Sequence, residues 1–214
     1  GLDNKFVRNL TAKAKRNPKK VVFAEADNYK VLKAAEMALE EGIAKPILLG
    51  KEHQINQIIE DYNLELPNCT IIDPRSDKEV KQREKFAEIL HEKRKRRGLT
   101  FYEAKKMMRE RNYYASAMVE TGMADVMISG ITRSYKETIR PALQVIGVEE
   151  GINKIAGMYI LISKDGPIFF ADTTININPT IEEIVDITLL VARTVKEYKI
   201  SPRIAMLSYS NFGS

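Results

Sequence analysis

The chain has 214 residues, 44% hydrophobic and 29% charged, with a formal net charge of +5; this mixture suits one large or two modest globular domains and excludes a disordered chain. No apolar run approaches the roughly 18 residues of a membrane span, and the first residues, GLDNKFVRNL, lack the apolar core of a signal peptide. One cysteine, Cys69, excludes an internal disulfide and suits a reducing cytoplasm.

Residues 4–16 predict an amphipathic helix with Phe6, Val7, Leu10 and Ala14 on one face, stopped by Asn17-Pro18. KVVFAEAD (20–27) is a continuous apolar run ending in acidic residues, the pattern of a buried parallel strand. A helix follows, capped by Asn28 and ended by Gly42. KPILLG (45–50) and CTIIDP (69–74) are two more strands flanking a helix over 51–62. This β-α-β-α-β alternation predicts a three-layer α/β/α sandwich around a mostly parallel sheet.

A charged helical stretch covers 77–97 and breaks at Gly98; Thr100 and Glu103 form a capping box for the next helix. YYASAMVETG (113–122) is helical, ADVMISG (124–130) returns a strand, and SYKETIRPALQVIG (134–147) is a helix that Pro141 should kink, a place for a hinge. From 153 the pattern changes. KIAGMYILIS (154–163) and PIFFAD (167–172) are strands joined by a tight turn at Asp165-Gly166. Asn178-Pro179-Thr180 starts a helix over 181–198 with Ile181, Ile184, Val185, Thr188, Val191 and Ala192 inward, and PRIAMLSYS (202–210) is a final strand. Two α/β lobes are expected, 1–152 and 153–214, the second incomplete in this chain.

No dinucleotide fingerprint, P-loop, H-E-x-x-H or G-x-S-x-G motif is present, and His53 and His91 stand apart from any Cys/His cluster. No metal site is expected. Cys69 opens a strand as an apolar filler. Glu25 and Asp27 close a strand, which is a site position by topology, or Asp27 caps the helix that follows. The basic run 93-KRKRR-97 reads as a solvated helix end, as an anion site, or as a nucleic-acid contact; the last lacks an aromatic platform, since the chain has no Trp. In the strand–loop–helix around Gly130, that glycine permits close backbone approach, Thr132, Ser134 and Tyr135 supply hydroxyls, and Arg133 and Arg140 add charge. The group reads as a phosphate cradle, and a capped helix start explains the hydroxyls equally well.

Five stretches together, FAEADNYKVLKAAEMALEEGIAKPILLG, EKRKRRGLTFYEA, MADVMISGITRSYKETIRPALQVIG, FADTTININPTIEEI and RIAMLSYSNFGS, resemble the phosphate acetyl/butyryltransferase family, in the family's order and over almost the whole chain. The resemblance implies two α/β lobes and metal-free attack of a CoA thiolate on acetyl phosphate. The tail SNFGS, with NPKKVVFAEAD and IIDPRSD, is similar to a subgroup, the C-terminal domain of large bacterial NADP-dependent malic enzymes. There the domain answers to acetyl-CoA, while NADP and a divalent metal serve the N-terminal malic domain, which oxidatively decarboxylates malate. The alternative the resemblance leaves is a catalytic phosphate acetyltransferase.

Residue by residue, the family's R-x-x-x-G arginine falls on Arg94 with Gly98, and its arginine before proline on Arg140; both imply phosphate contacts. The family's G-x-x-H-[ST]-T loop falls on Gly130, Thr132, Arg133, Ser134 and Tyr135, with Arg133 in place of His and Tyr135 in place of Thr. The terminal segment adds Ser208, Ser210 and Asn211 to the implied ligand site. In the family the chain continues beyond this loop, with a Ser-Arg pair and an Asp of the catalytic site. Acetyl-CoA or CoA and phosphate as ligands, a homo-oligomer, a cytoplasmic location, and neither nucleic acid nor membrane as partner complete what is expected.

Overall fold

A computed structural model describes residues 4–152, 154–172, 175–176 and 178–207. The chain divides into two compact units, one of residues 7–147 and one of 148–207 with 4–6. The helix α1 (Lys5–Arg16) bears the expected face, with Phe6, Val7, Leu10 and Ala14 half-buried.

The larger unit is built on a parallel sheet of β1 (Lys19–Phe23), β2 (Ala44–Leu49), β3 (Thr70–Ile72) and β4 (Val126–Ile128), in the order β3-β2-β1-β4. Alternation along β1 decides which helices cover which face. Val21 and Phe23 join Leu48, Leu32, Ala35 and Ile55, the side of α2 (Tyr29–Glu40) and α3 (Glu52–Asp61). Val22 and Leu49 join Phe86, Leu90, Ala104, Tyr114, Met118 and Val145, the side of α4 (Val80–Arg94), α5 (Phe101–Met107), α6 (Arg111–Glu120) and α7 (Tyr135–Val145). This is the three-layer α/β/α sandwich, with the central strands β1 and β2 buried on both sides and the edge strands β3 and β4 less covered. On β4, Val126 and Ile128, which share a face with Val21 and Phe23, remain exposed.

Local chemistry sets the boundaries. Asn28 Oδ1 accepts from the backbone N–H groups of Lys30 and Val31, at 2.9 and 3.3 Å. Thr100 and Glu103 form the expected capping box, and Gly98, at φ 90°, ends the 3-10 turn after α4 in a conformation other residues resist. Asp27 caps no helix; its carboxylate takes a bidentate pair from Arg111 at 2.5 and 3.1 Å.

Pro141 lies inside a continuous α7. Proline has no N–H, so the Glu137 carbonyl four residues back loses its helical donor. The buried Asn112 of α6 supplies one, its Nδ2 donating to that carbonyl at 3.2 Å, while its Oδ1 lies 2.6 Å from Ser129 Oγ. The helix is therefore tied to its neighbour at the position expected to hinge. Asn112→Ala removes the side-chain donor to the Glu137 carbonyl and the nearer acceptor of the Ser129 hydroxyl, and should cost about 1–3 kcal/mol in urea unfolding; an unchanged midpoint would remove Asn112 from this role.

In the smaller unit β5 (Met158–Ser163) and β6 (Gly166–Ala171) form an antiparallel hairpin. The turn is Lys164-Asp165 rather than Asp165-Gly166, because Gly166 already pairs with Ser163. Phe6, Phe169 and Tyr198 cluster with ring centroids 5.7–6.2 Å apart. Thr180 caps α8 (Ile181–Glu197) in a box with Glu183. The buried residues of α8 are Ile187 and Val195, whereas Ile181, Ile184 and Val185 are exposed. Charged Glu182, Asp186, Arg193 and Glu197 mark one side of the helix, but the apolar arc opposite is wider than the face that packs, so periodicity does not select which of its residues are buried. Residues 202–207 form no strand, and Ile204, Met206 and Leu207 are exposed, because no neighbouring strand among the described residues satisfies their backbone groups.

Candidate functional site

The strand order carries the first indication of a site. The chain steps outward from β1 through β2 to β3, then crosses back to place β4 on the other side of β1. In open α/β sheets, ligands bind beyond the carboxyl ends of the strands at such a reversal. The turn after β1 and the loop from β4 to α7 meet there.

Glu25 sits in that turn, only 1% exposed. Its Oε1 accepts from the backbone N–H groups of Gly130, at 2.5 Å, and Ile131, at 3.0 Å. Its Oε2 accepts from the Thr132 N–H at 2.6 Å and from the Thr132 hydroxyl. Gly130 holds φ 114°, a conformation that favours glycine and turns its N–H toward the carboxylate. Burial by itself would raise the Glu25 carboxyl, but the Thr132 hydroxyl and the N–H groups of Gly130, Thr132 and Ile131 outweigh it and bring it down to about 2. Arg133 Nη1 donates to Thr132 Oγ1 at 3.1 Å. Ser134 is the N-cap of α7, in a capping box with Glu137, and Tyr135 is the first residue of the helix, half exposed. The backbone donors of the expected cradle, from Gly130 to Thr132, thus face a carboxylate of the chain itself.

On the α4–α7 side, the basic run divides its roles. Lys93 Nζ donates to the Val145 carbonyl at 2.6 Å, satisfying the C-terminal end of α7, and also pairs with Glu120. Lys95 pairs with Glu92. Arg94 and Arg97 instead line an open cavity of about 520 Å³ with Lys106, Gln144, Gly98, Leu99, Met107 and Glu103. Glu103 is committed to its capping box, where the Thr100 N–H and hydroxyl lower its carboxyl. Among the described residues Arg94, Arg97 and Arg140 have no ion-pair partner. Tyr113 of α6 stands in the field of both Arg140 and Arg94. Its hydroxyl donates to Gln144 Oε1 at 2.7 Å; burial raises the phenol, while the charges of Arg140 and Arg94 pull it the other way.

The Gly130–Tyr135 loop opens the helix that carries Arg140, five residues and roughly 7.5 Å of axial rise farther on. Ser208, Ser210 and Asn211 lie outside the described residues. The sequence reading held Arg97 only as part of the basic run 93–97 and did not reach Lys106, Tyr113 and Gln144. Arg97 follows Arg94 by three and Gln144 follows Arg140 by four, a local signal of shared faces, but Lys106 and Tyr113 join them only through helix packing. The cavity combines fixed positive charge with an apolar wall of Leu99 and Met107, which suits a phosphorylated organic anion larger than inorganic phosphate. Among the described residues no group of three or more His, Cys, Asp or Glu side chains could hold a metal ion, and no helix is long and apolar enough to cross a membrane.

A model of the phosphate acetyl/butaryl transferase family matches residues 5–214. A phosphate acetyltransferase of Helicobacter pylori is 36% identical over 98% of this chain and 40% of its own length. An NADP-dependent malic enzyme of Escherichia coli is 34% identical over 99% of this chain and 28% of its own. The solved structure of EutD phosphotransacetylase from Staphylococcus aureus superposes with a TM-score of 0.83 at 28% identity, over 97% of this chain and 62% of that one. The chain thus spans less than two thirds of each of these relatives. With a model matched from α1 to the terminal segment and a parallel-sheet fold shared with a solved phosphotransacetylase, the chain belongs to the phosphate acetyl/butaryl transferase family.

Proposed function

We propose that this chain is a phosphotransacetylase-like ligand-binding domain whose ligand is acetyl-CoA, or CoA and phosphate, and that it acts as the effector domain of an NADP-dependent malic enzyme. The supporting observation is the cavity beside Arg94, Arg97 and Lys106, where Glu103, the one lining carboxylate, is held in a capping box. It offers an anion charge and an apolar wall, and no proton-transfer pair. The replacement of the family's loop His and Thr by Arg133 and Tyr135 supports sensing over acyl transfer. In this reading the N-terminal malic domain is the partner within the same polypeptide, NADP and a divalent metal belong to that domain, and the assembly is a cytoplasmic homo-oligomer. A catalytic phosphate acetyltransferase is the second reading, favoured by the retention of Arg94 and Arg140 and by relatives of that name at similar identity.

Two assays on the full-length protein separate them. Malate oxidation should respond to acetyl-CoA with a coupling of about 1–3 kcal/mol, and acetyl transfer from acetyl phosphate to CoA should be negligible. Turnover on the order of 10 per second or faster would overturn the effector reading in favour of catalysis.

A further inference from the structure

We infer that the Gly130–Thr132 backbone is an anion-binding nest whose native occupant is the Glu25 side chain, so that Glu25 is a positioning residue for the loop leading into α7 and the nest is closed to external phosphate. This goes beyond the effector reading, because it concerns which anion the nest holds whatever the domain's ligand.

The geometry fills the carboxylate. An ionised carboxylate offers about four lone-pair positions. Four donors take them: the N–H groups of Gly130, Ile131 and Thr132, and the Thr132 hydroxyl. Ser129 Oγ stands 3.1 Å from Oε1, but its single proton is drawn to Asn112 Oδ1 at 2.6 Å. Three successive N–H groups converging on one point are the form of nest that elsewhere holds phosphate. Here the anion is delivered by the turn after the adjacent strand and is buried, so it cannot exchange with solvent as a free ion does. The same contact fixes Thr132, on which Arg133 leans, and hence the entry to the capping box at Ser134. External phosphate is left to the cationic side chains that line the cavity, Arg94, Arg97 and Lys106.

The test vacates the nest. In the full-length protein, Glu25→Ala removes the carboxylate and leaves room for a small one. With sodium formate or acetate as probe, and sodium chloride at equal ionic strength as control, the thermal midpoint of the variant should rise saturably in the millimolar range. The parent should respond to formate no more than to chloride. A folded variant that answers formate and chloride alike overturns the inference. Should Glu25→Ala fold only with formate present, that dependence supports it equally. Should it fold under neither condition, Glu25→Gln decides by amide hydrogen exchange. The N–H groups of Gly130, Ile131 and Thr132 should then exchange about ten-fold faster or more, with those of Val22 and Phe23 unchanged. Equal protection of the three loop amides would overturn it.

Discussion

Arg94→Ala is expected to weaken binding of acetyl-CoA by ten-fold or more, measured by calorimetry on the full-length protein. A charge-assisted bidentate contact contributes about 1.5–3 kcal/mol, and the Arg94 guanidinium has no competing ion pair among the described residues. Arg140→Ala should act in the same direction. Lysine at position 94 should restore the charge without the planar fork, recovering part of the affinity. Raising the salt should weaken the parent more steeply than either variant. An unchanged affinity in a folded Arg94→Ala protein would place the anion elsewhere.

The second large effect concerns acid. The Glu25 carboxyl is lowered from 4.5 to about 2 in the folded protein. A depressed carboxyl contributes stability that is fully present above its unfolded value, near pH 4.5. That contribution is lost as pH falls toward 2, through the folded value. The displacement corresponds to roughly 3–3.5 kcal/mol. Arg133 donates to the same Thr132 that holds the carboxylate, and Asp27, two residues on, is paired with Arg111. In urea unfolding, parent and Glu25→Gln should differ by about this amount at pH 7, and the gap should close between pH 4.5 and 2. Because every other carboxylate titrates in both proteins, the difference isolates Glu25. Parallel curves down to pH 2 would show that the charge of Glu25 is not what the loop holds.

Much of the larger unit was legible because its signals are local. The apolar runs at 21–23 and 46–49 mark strands by composition. Asn28, Thr100 and Gly98 end or begin helices through groups within three residues of themselves. Ser134 and Thr180 each precede a glutamate by three, so their capping boxes were equally readable. Where the pattern gave more than one solution, the reading failed. In α8 the apolar arc is wider than the face that packs, and packing chose Ile187 and Val195 over Ile181 and Val185. The segment 202–207 has strand-like composition, but a strand exists only when a neighbour pairs with it, which composition does not report.

The candidate site shows the same division. Sequence alone marked Arg94, Gly130, Arg133 and Arg140 as anion-binding chemistry and placed Glu25 at the end of a strand. It also determined the elements that carry them, since hydrophobic period, capping residues and glycine stops act over a few residues. Only the tertiary structure decided that β4 lies beside β1, bringing Glu25 across more than a hundred residues onto the amides of Gly130, Ile131 and Thr132. Lys95 pairs locally with Glu92, but only helix packing decided that Lys93 is occupied with Val145 and Glu120 while Arg94 and Arg97 open onto a cavity with Lys106. Strand order and helix packing follow from burying both faces of one sheet at once. That is a property of the whole chain's apolar surface, written in no single stretch of it.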